Sequence, residues 1–491
     1  MKKLVALLVV ICGFAGIGFA QYSSCSTTFE SQISGVPDTQ SQSLGLSNFQ
    51  NETAFNIWIN PAQITEWQTV YGEIWGGAAN TWGGANFKVA NGHLGVFIGR
   101  PYTGTVANAA NGSLYGLNKA VAGPGNAAVT GSAVVDNMTP LAITNNSLDI
   151  FYGVPLGNLS VGARLSMANN SLNDDYSYTG SGAATSVGDG SVSSKRLTSD
   201  MQIGLGALLK EMGPFEKLDV ALTIAMPSVN NSYSLSCIET AATLNRLSES
   251  DELKTNAAAN MSLLARGLLA MGSNKLYTTF GYQSIDISSK RTATADNSSA
   301  VVGLNLNKEE AFTDKTTNLM LDAAYHTQPS KVIKAIYTVG FRSSGQTVDL
   351  MCTDLGGQVA NTVLGPTISG KQEVTTMSLP FSVAVEHQTW AKVCTRLGVQ
   401  STLMSNTKTK TTSQQYIVSG NPLLRDTAVA ATSAETTTTP VAQPATVSLG
   451  FGIQPAKDFD LDVAIISTIF DLDSGAGVAD LISRASLRYH F

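Results

Sequence analysis

The chain has 491 residues and a formal net charge of −6, and only 13% of its residues are charged although 45 are glycine. Ordinary soluble domains carry about twice this share of charged residues, so the composition favours glycine-rich strands and polar loops. The negative net charge argues against a nucleic-acid partner. Beyond the amino-terminal apolar run, no stretch approaches the ~20 consecutive apolar residues of a membrane helix, which argues against a helical membrane protein.

The amino terminus has the three-part pattern of a secretory signal peptide. A basic start is followed by an apolar run and then by small residues that end at Ala20. This order predicts export and cleavage after Ala20, so that residues 1–20 are removed. Cys12 follows the bulky Ile11, which favours cleavage over lipidation at this cysteine.

The clearest strand lies at the carboxyl end of the chain. One face carries Leu481, Ser483, Ala485, Leu487, Tyr489 and Phe491, and the other carries Ile482, Arg484, Ser486, Arg488 and His490. Such alternation is typical of transmembrane β-strands. A terminal aromatic residue, Phe491, with a second one at Tyr489 resembles the assembly signal of bacterial outer-membrane barrels. The resemblance implies an all-β outer-membrane barrel, surrounded by outer-membrane lipid and lipopolysaccharide and inserted by the barrel-assembly machinery.

Earlier runs with the same alternation come in pairs joined by short turns. The turns are predicted at 455–458, 388–390, 328–331, 272–275, 213–217, 157–158 and 91–92. A first strand near 70–76 brings the total to about sixteen antiparallel strands, an even number that places both termini on one side. If residues 75–89 do not form two strands, fourteen is the alternative. The barrel is therefore predicted over residues 70–491.

The two ends of the predicted barrel differ in the length of their connections. Because the carboxyl terminus of such barrels is periplasmic, the short turns are predicted to be periplasmic and the long polar segments to face outside. The long segments, interpreted as loops, are 168–198, 229–256, 287–313, 344–371, 405–442 and 470–478. Residues 101–146 form the longest interruption, and a loop of this size can constrict a pore. Residues 21–69 are predicted to be a periplasmic segment or an internal plug.

The cysteines do not indicate a metal site. Of the five cysteines, Cys25, Cys237, Cys352 and Cys394 follow the signal peptide, and none has CxxC spacing. We expect no metal and no cofactor. Cys237 and Cys352 fall in predicted outer segments, so a disulfide between them is an alternative to isolated thiols.

The face of each strand opposite the lipid carries most of the charged residues. The candidate pore-lining residues are Arg164, Lys210, Arg266, Asp322, Lys334, Arg342, Glu386, Lys392, Arg396, Asp460, Asp462, Arg484 and Arg488, together with Asp149 and Asp219. This set favours a water-filled, porin-like channel for passive diffusion of small hydrophilic solutes, with a mild preference for anions. Pairing of opposite charges across the wall is the alternative interpretation. Many sixteen-stranded porins are trimers, so the resemblance also allows a homotrimer.

A second resemblance lies ahead of the first strand. Asn60, Pro61 and Ala62 follow an apolar run that ends at Ile59. An Asn-Pro-Ala tripeptide in this position resembles the fatty-acid-transporter (FadL-like) barrels, in which Gly follows where this chain has Gln63. The resemblance implies an alternative function, a transporter of hydrophobic compounds plugged by an amino-terminal hatch.

Catalytic motifs are absent from the sequence. It contains no Gly-x-Ser-x-Gly, HExxH or phosphate-binding loop. His93, His326, His387 and His490 all fall at predicted periplasmic strand ends. We therefore expect no enzymatic activity and propose no catalytic residue. A structural barrel that anchors surface loops for interaction is a third functional class that the sequence leaves open.

Overall fold

The computed structural model describes residues 38–75, 81–100, 147–178, 187–239, 245–257, 260–297, 306–354, 367–417, 427–438, 446–467 and 484–491. The predicted signal peptide and the 101–146 segment lie outside these residues. No helix in the described ranges is long and apolar enough to cross a membrane.

Within the described residues, three short helices precede a sheet of eighteen strand segments. The helices are α1 (Thr39–Ser43), α2 (Asn56–Ile59) and a 3₁₀ helix (Pro61–Glu66). The strands are β1 (Thr69–Trp75), β2 (Thr81–Val89), β3 (Gly92–Ile98), β4 (Ser147–Leu156), β5 (Leu159–Tyr178), β6 (Val187–Met212), β7 (Phe215–Glu239), β8 (Asn245–Ala257), β9 (Asn260–Met271), β10 (Asn274–Asn297), β11 (Leu306–Ser330), β12 (Ile333–Asp354), β13 (Thr367–Trp390), β14 (Val393–Ile417), β15 (Thr427–Thr438), β16 (Thr446–Ala456), β17 (Phe459–Ser467) and β18 (Arg484–His490).

The sheet closes on itself, because β1 pairs with both β2 and β18. All described pairings are antiparallel. β8 and β9 pair with successive parts of β7 and β10, and β15 and β16 pair with successive parts of β14. The eighteen segments therefore occupy sixteen strand positions in a closed antiparallel barrel. This confirms the predicted fold class and the number of sixteen strands. Residues 75–89, on which the alternative of fourteen strands depended, contain the last residue of β1 and the whole of β2.

The two-residue turns within the described residues all lie at one end of the barrel. Two-residue turns stand at 90–91, 157–158, 213–214, 272–273, 331–332, 391–392 and 457–458. The beginning of β1 and the end of β18 lie at this same end of the barrel, since Thr69 pairs with His490. Three of the turns begin with a glycine at positive φ, at Gly157, Gly213 and Gly272, a backbone conformation that two-residue hairpins require and that side chains disfavour. The predicted turns are confirmed at or within a few residues of these positions.

Several predicted outer loops are largely strand, and this part of the sequence interpretation was wrong. For example, β5 continues to Tyr178 and β6 begins at Val187, inside the predicted loop 168–198. The described strands also run into 229–256, 287–313, 344–371 and 405–442. These extensions are rich in Ser, Thr and Lys, so the apolar alternation ends although the backbone ladder continues. Backbone pairing needs no apolar face where both faces of a sheet meet water.

The outward face carries an apolar belt next to the turns. On β12 the outward side chains Tyr337 and Val339 are 49% and 53% exposed, and Leu321 of β11 lies beside them with 45%. Farther from the turns, Thr317 and Lys315 occupy the same face of β11. An apolar band that gives way to polar residues is the outer surface of a barrel that spans a membrane.

We expect Val339→Arg to destabilise the barrel by ~2–4 kcal/mol, because a basic residue in the middle of the lipid-facing belt loses its hydration. Thr317→Arg, which changes an exposed residue beyond the belt, is the matched control and should change stability by less than about 0.5 kcal/mol. Denaturant titration of the protein folded into lipid vesicles measures both values. Equal effects of the two substitutions would contradict the position of the belt.

Candidate functional site

The segment 38–67, which we call the plug, lies inside the barrel in the half next to the turns. It contacts β3, β4, β5 and β6 on one side and β14, β16, β17 and β18 on the other. Its apolar side chains are buried, with Phe49 and Ile64 at 0% and Trp58 at 2% exposure. The sequence analysis left residues 21–69 as either a periplasmic segment or an internal plug. The described part of this range lies in the lumen.

Local sequence signals shape the plug. Asp38 caps α1 by accepting a hydrogen bond from the backbone N–H of Ser41 at 2.6 Å. Asn60 caps the 3₁₀ helix by accepting from the N–H of Ala62 at 3.0 Å, and Pro61 occupies its first position. Asn as a cap and Pro at the first helical position are favourable because the cap satisfies a free donor and proline has none to lose. The Asn-Pro-Ala motif thus starts a short helix.

Inward-facing glycines let the plug backbone approach the wall. A Cβ added at Gly162 would lie 2.5 Å from the backbone N of Ala62, and one at Gly206 would overlap the side chain of Asn60. At the opposite wall, a Cβ at Gly398 would overlap the carbonyl group of Leu44. Only glycine permits these approaches. The wall therefore carries glycine, without a side chain, at the places where the plug lies closest to it.

An aromatic cluster fixes the carboxyl-terminal half of the plug to β1–β4. Phe55 of the plug packs edge-on against Tyr71 and Trp82, with centroid separations of 4.6 and 5.2 Å. Trp58 packs against Phe97 and Phe151 at 4.8 and 5.4 Å. All six of these aromatic residues are buried: Phe55, Trp58, Tyr71, Trp82, Phe97 and Phe151. Edge-to-face packing adds to the burial of apolar area, so this is the main apolar anchor of the plug.

Asp219 of β7 is the polar hub between the plug and the wall. Arg266 of β9 donates to its Oδ2 from Nε at 2.9 Å and from Nη2 at 2.7 Å. Asn60 donates from Nδ2 to its Oδ1 at 2.9 Å, and Gln63 donates to both carboxylate oxygens at 2.8 Å. Asp219 and Arg266 are only 2% and 3% exposed. The carboxylate is thus compensated by a buried cation and by two side chains of the plug.

Two further wall residues hold the plug through its backbone carbonyl groups. Arg164 of β5 donates from Nη1 to the carbonyl oxygen of Trp58 at 2.8 Å. The Nε2 atom of His326 on β11 lies 2.8 Å from the carbonyl oxygen of Gln50. A charged donor makes the first of these a strong type of hydrogen bond. Both contacts fix the path of the plug whatever side chains it carries.

Glu73 of β1 attaches α1 to the place where the barrel closes. Its carboxylate accepts hydrogen bonds from the Thr39 hydroxyl at 2.9 Å and from the Tyr71 hydroxyl at 2.7 Å. Arg484 of β18 lies 3.7 Å away. Because Glu73 is 1% exposed, these partners replace the water that its carboxylate loses.

A cluster of charged side chains lies nearer the turns. Lys217 of β7 forms ion pairs with two plug residues, Glu52 and, at 3.4 Å, Glu66. Lys210 of β6 also pairs with Glu66, at 2.5 Å. Tyr277 of β10 donates its hydroxyl to Glu52 at 3.3 Å. We call Lys210, Lys217, Glu52 and Glu66 the ionic latch.

The plug carboxylate of Glu52 stays ionised in this environment. Burial raises the pKa of Glu52, but the charge and hydrogen bond of Lys217, with Arg266 and Lys275, lower it below its ordinary value overall. A depressed pKa means that the ion pair persists while the pH falls through the ordinary range of glutamate. It is lost only when the pH falls through the lowered pKa.

The structure places the candidate pore-lining residues on the inward face, except Lys392, which lies in a turn. Most are paired: Arg342 with Asp322, Arg396 with Glu386 and Asp462, Arg488 with Asp462, Arg484 with Glu73, His490 with Asp460, and Asp149 with Arg100. Lys392 donates to the carbonyl oxygen of Pro455 at 2.7 Å. Lys334 has an inward position on β12, which is next to the strand that carries Glu386. Pairing across the wall thus describes these charges better than a ring of free cations.

The terminal aromatic residues have the outward position that the sequence interpretation gave them. The rings of Tyr489 and Phe491 are stacked with their centroids 6.3 Å apart, and the side chains are 45% and 56% exposed. They lie at the turn end of the barrel, where aromatic residues anchor barrels at the edge of the membrane.

Sequence reasoning missed Glu52, Glu66 and Glu73, and it regarded Gln63 only as a departure from a motif. The period-two pattern could have indicated Glu73, since Glu73 shares one face of its strand with Tyr71 while Val70 lies on the other face. The plug residues had none, because a segment without regular periodicity does not indicate which face meets the wall.

The strand order does not bring together Cys237 and Cys352, whose disulfide was the alternative to isolated thiols. Cys237 lies on β7 and Cys352 on β12, and three strand positions separate β7 from β12. Neighbouring strands are ~4.8 Å apart, whereas bridged cysteines have Cα atoms within about 7 Å. The register of these strands therefore disfavours the pairing. Cys25 lies outside the described residues.

Comparison with known proteins yields only distant likenesses. No protein-family model and no curated protein matches the chain. Among solved structures, a deltaS2S3 mutant of the monoaromatic hydrocarbon channel TodX is 11% identical with a TM-score of 0.31, covering 90% of this chain and 95% of that one. The ferric-catecholate import receptor Fiu of E. coli is 8% identical with a TM-score of 0.31, covering 87% and 81%. Likenesses this weak leave the function to be argued from the chain itself.

We expect Asp219→Asn to reduce the free energy of unfolding by ~3–5 kcal/mol, because it leaves the buried guanidinium of Arg266 without its counter-charge. Glu216→Gln is the matched control, since Glu216 forms an exposed ion pair with Lys275 at 3.7 Å; its effect should stay below about 0.5 kcal/mol. Denaturant unfolding in vesicles measures both. A change below about 1 kcal/mol for Asp219→Asn would contradict the role of the hub.

Proposed function

We propose that the protein is an outer-membrane transport barrel whose passage is controlled by the plug. The observation that carries this proposal is the burial of residues 38–67 within the ring of strands. The signal-peptide pattern, the outward apolar belt and the outward aromatic side chains of Tyr489 and Phe491 support its place in the outer membrane. We propose no catalytic activity.

The plug favours gated passage over the passive, porin-like diffusion that the charge pattern first indicated. Free diffusion needs a continuous water-filled lumen, and the plug fills the half of the barrel next to the turns. A solute can then cross only when the plug adopts a second position, and the two positions form an equilibrium that a ligand or a mutation can shift. We therefore propose a plugged transporter, which takes its plug from the hydrophobic-compound alternative of the sequence analysis and its small hydrophilic solutes from the porin-like interpretation.

The polar lining beyond the plug favours small polar solutes. On the side away from the turns, Asn318 donates to Gln283 at 2.9 Å and Gln346 donates to Asp314 at 2.9 Å. Amide and carboxylate groups of this kind can exchange hydrogen bonds with a passing solute. A purely apolar compound cannot form such hydrogen bonds, so its passage along these polar groups is unfavourable.

A second candidate, transport of hydrophobic compounds, is favoured by the aromatic cluster. Trp58, Trp82, Phe97 and Phe151 form an apolar wall on one side of the plug. If the plug shifted, these rings would face the passage and could bind planar apolar molecules. Parallel uptake assays with a disaccharide and with an aromatic hydrocarbon separate the two candidates.

Filling the glycine contacts should open the passage. Gly206→Ala and Gly398→Ala place a methyl group against the plug, and overpacking of ~1–3 kcal/mol would raise the population of the displaced plug roughly 5- to 150-fold. Osmotic swelling of proteoliposomes in a disaccharide measures permeation. We expect low permeability for the wild type and a clear increase for both variants.

The matched control is Gly72→Ala, which alters a strand glycine whose added Cβ would meet nothing within 4 Å. It should behave as the wild type. Rapid swelling with the wild-type protein would favour an open porin instead. Absence of swelling with both plug-contact variants, each folded as judged by heat-modifiable migration, would overturn the proposed function and favour a structural anchor.

A further inference from the structure

The ionic latch joins two separate parts of the plug to one hairpin of the wall. Glu52 follows the amino-terminal half of the plug, and Glu66 ends the 3₁₀ helix. Both meet Lys217, and Glu66 also meets Lys210. The two lysines flank the turn at 213–214, so a single hairpin holds both ends of plug residues 52–66. This part of the plug contains its residues of the aromatic cluster and its hydrogen-bond partners of the Asp219 hub.

The latch differs from the Asp219 hub in its access to water. The side chains of Lys217 and Glu52 are each 21% exposed and that of Lys210 is 40% exposed, whereas Asp219 and Arg266 are each 3% exposed. Ion pairs that water reaches are weak and are screened by salt. A buried pair with full hydrogen bonding is lost only at a large penalty. The latch is therefore the polar contact of the plug that can break while the hub remains intact.

We propose that the ionic latch is the gate of the transport barrel, and that the plug moves when Lys217 loses Glu52 and Glu66. This inference rests on the proposed function, because a gate requires a passage. The Asp219 hub, the aromatic cluster and the contact of His326 with the Gln50 carbonyl keep the plug tethered, so the displacement begins at the side chains of Glu52 and Glu66. Without Lys217, the two plug carboxylates would repel each other close to the wall, which further favours displacement.

The turn side of the barrel offers a clean comparison for this lysine. Lys275 of β10 forms an ion pair with Glu216 of β7 at 3.7 Å, with side chains 44% and 41% exposed. This pair joins two wall strands and makes no direct ion pair with the plug, although the charge of Lys275 lowers the pKa of Glu52 from a longer distance than Lys217 does. It therefore matches Lys217 in residue type and in its place near the turns, and differs from it in the partner.

Proteoliposome swelling in a disaccharide, at low and high salt, tests the gate. We expect Lys217→Gln to raise permeation roughly two- to thirtyfold at low salt, which is the sum expected for two partly hydrated ion pairs. Wild-type permeation should rise with salt, and that of Lys217→Gln should depend on salt much less. Lys217→Arg, which keeps the charge, should preserve the low permeation and its dependence on salt. Lys275→Gln, which removes only a longer-range charge from Glu52, should raise permeation much less than Lys217→Gln does.

The outcomes separate the gate from the function beneath it. If Gly398→Ala opens the passage and folded Lys217→Gln does not, the latch is not the gate while plug-controlled transport stands. If the disaccharide permeates through neither variant, both the gate and the proposed function are contradicted. If Lys275→Gln opens the passage as much as Lys217→Gln, the effect arises from the charge of the turn region, and the inference is overturned.

Discussion

The pairing of β1 with β18 is the constraint on which the rest of the structure depends. Lipid offers no hydrogen-bond partners to the backbone, so a sheet within a membrane must close. Closure gives every strand one face toward lipid and one toward the lumen. Val339 on the first face and Asp219 on the second have opposite chemistry for this reason alone.

Closure also creates the problem that the plug solves. The inward face carries charged groups such as Asp219, Arg266 and Arg164, and many of them are buried. Each needs a partner, since an isolated buried charge is costly. Part of the partnership comes from the wall itself, and part comes from side chains and carbonyl groups of the plug. The inward glycines then bring the plug backbone close enough for these contacts to form.

The contacts of the plug are graded rather than uniform. The side chains of the aromatic cluster and of the Asp219 hub are buried, and they contact residues 54–63 of the plug. The contacts of Lys217 with Glu52 and Glu66 are partly hydrated and therefore weaker. A plug held strongly at one place and weakly at another can move without leaving the barrel, which is the mechanical requirement of a gate. The pairing of most inward charges suits this arrangement, because a wall that is already neutralised needs no free ions when the plug shifts.

The sequence by itself determined the properties that depend on neighbouring residues along the chain. Alternation of period two predicted that Arg396 and Asp462 face the lumen, and the turn residues predicted the positions of the hairpins. Only the tertiary structure decided which groups meet. Asn60 and Asp219 are 159 positions apart, and no local pattern indicates that they share a hydrogen bond. Beyond the apolar belt, on the side away from the turns, Ser and Thr form strands without any apolar alternation. The sequence therefore predicts loops where the structure has extended strands. The plug showed the same limit, since its fit against Gly206 and Gly398 depends on a wall that exists only after the ring has closed.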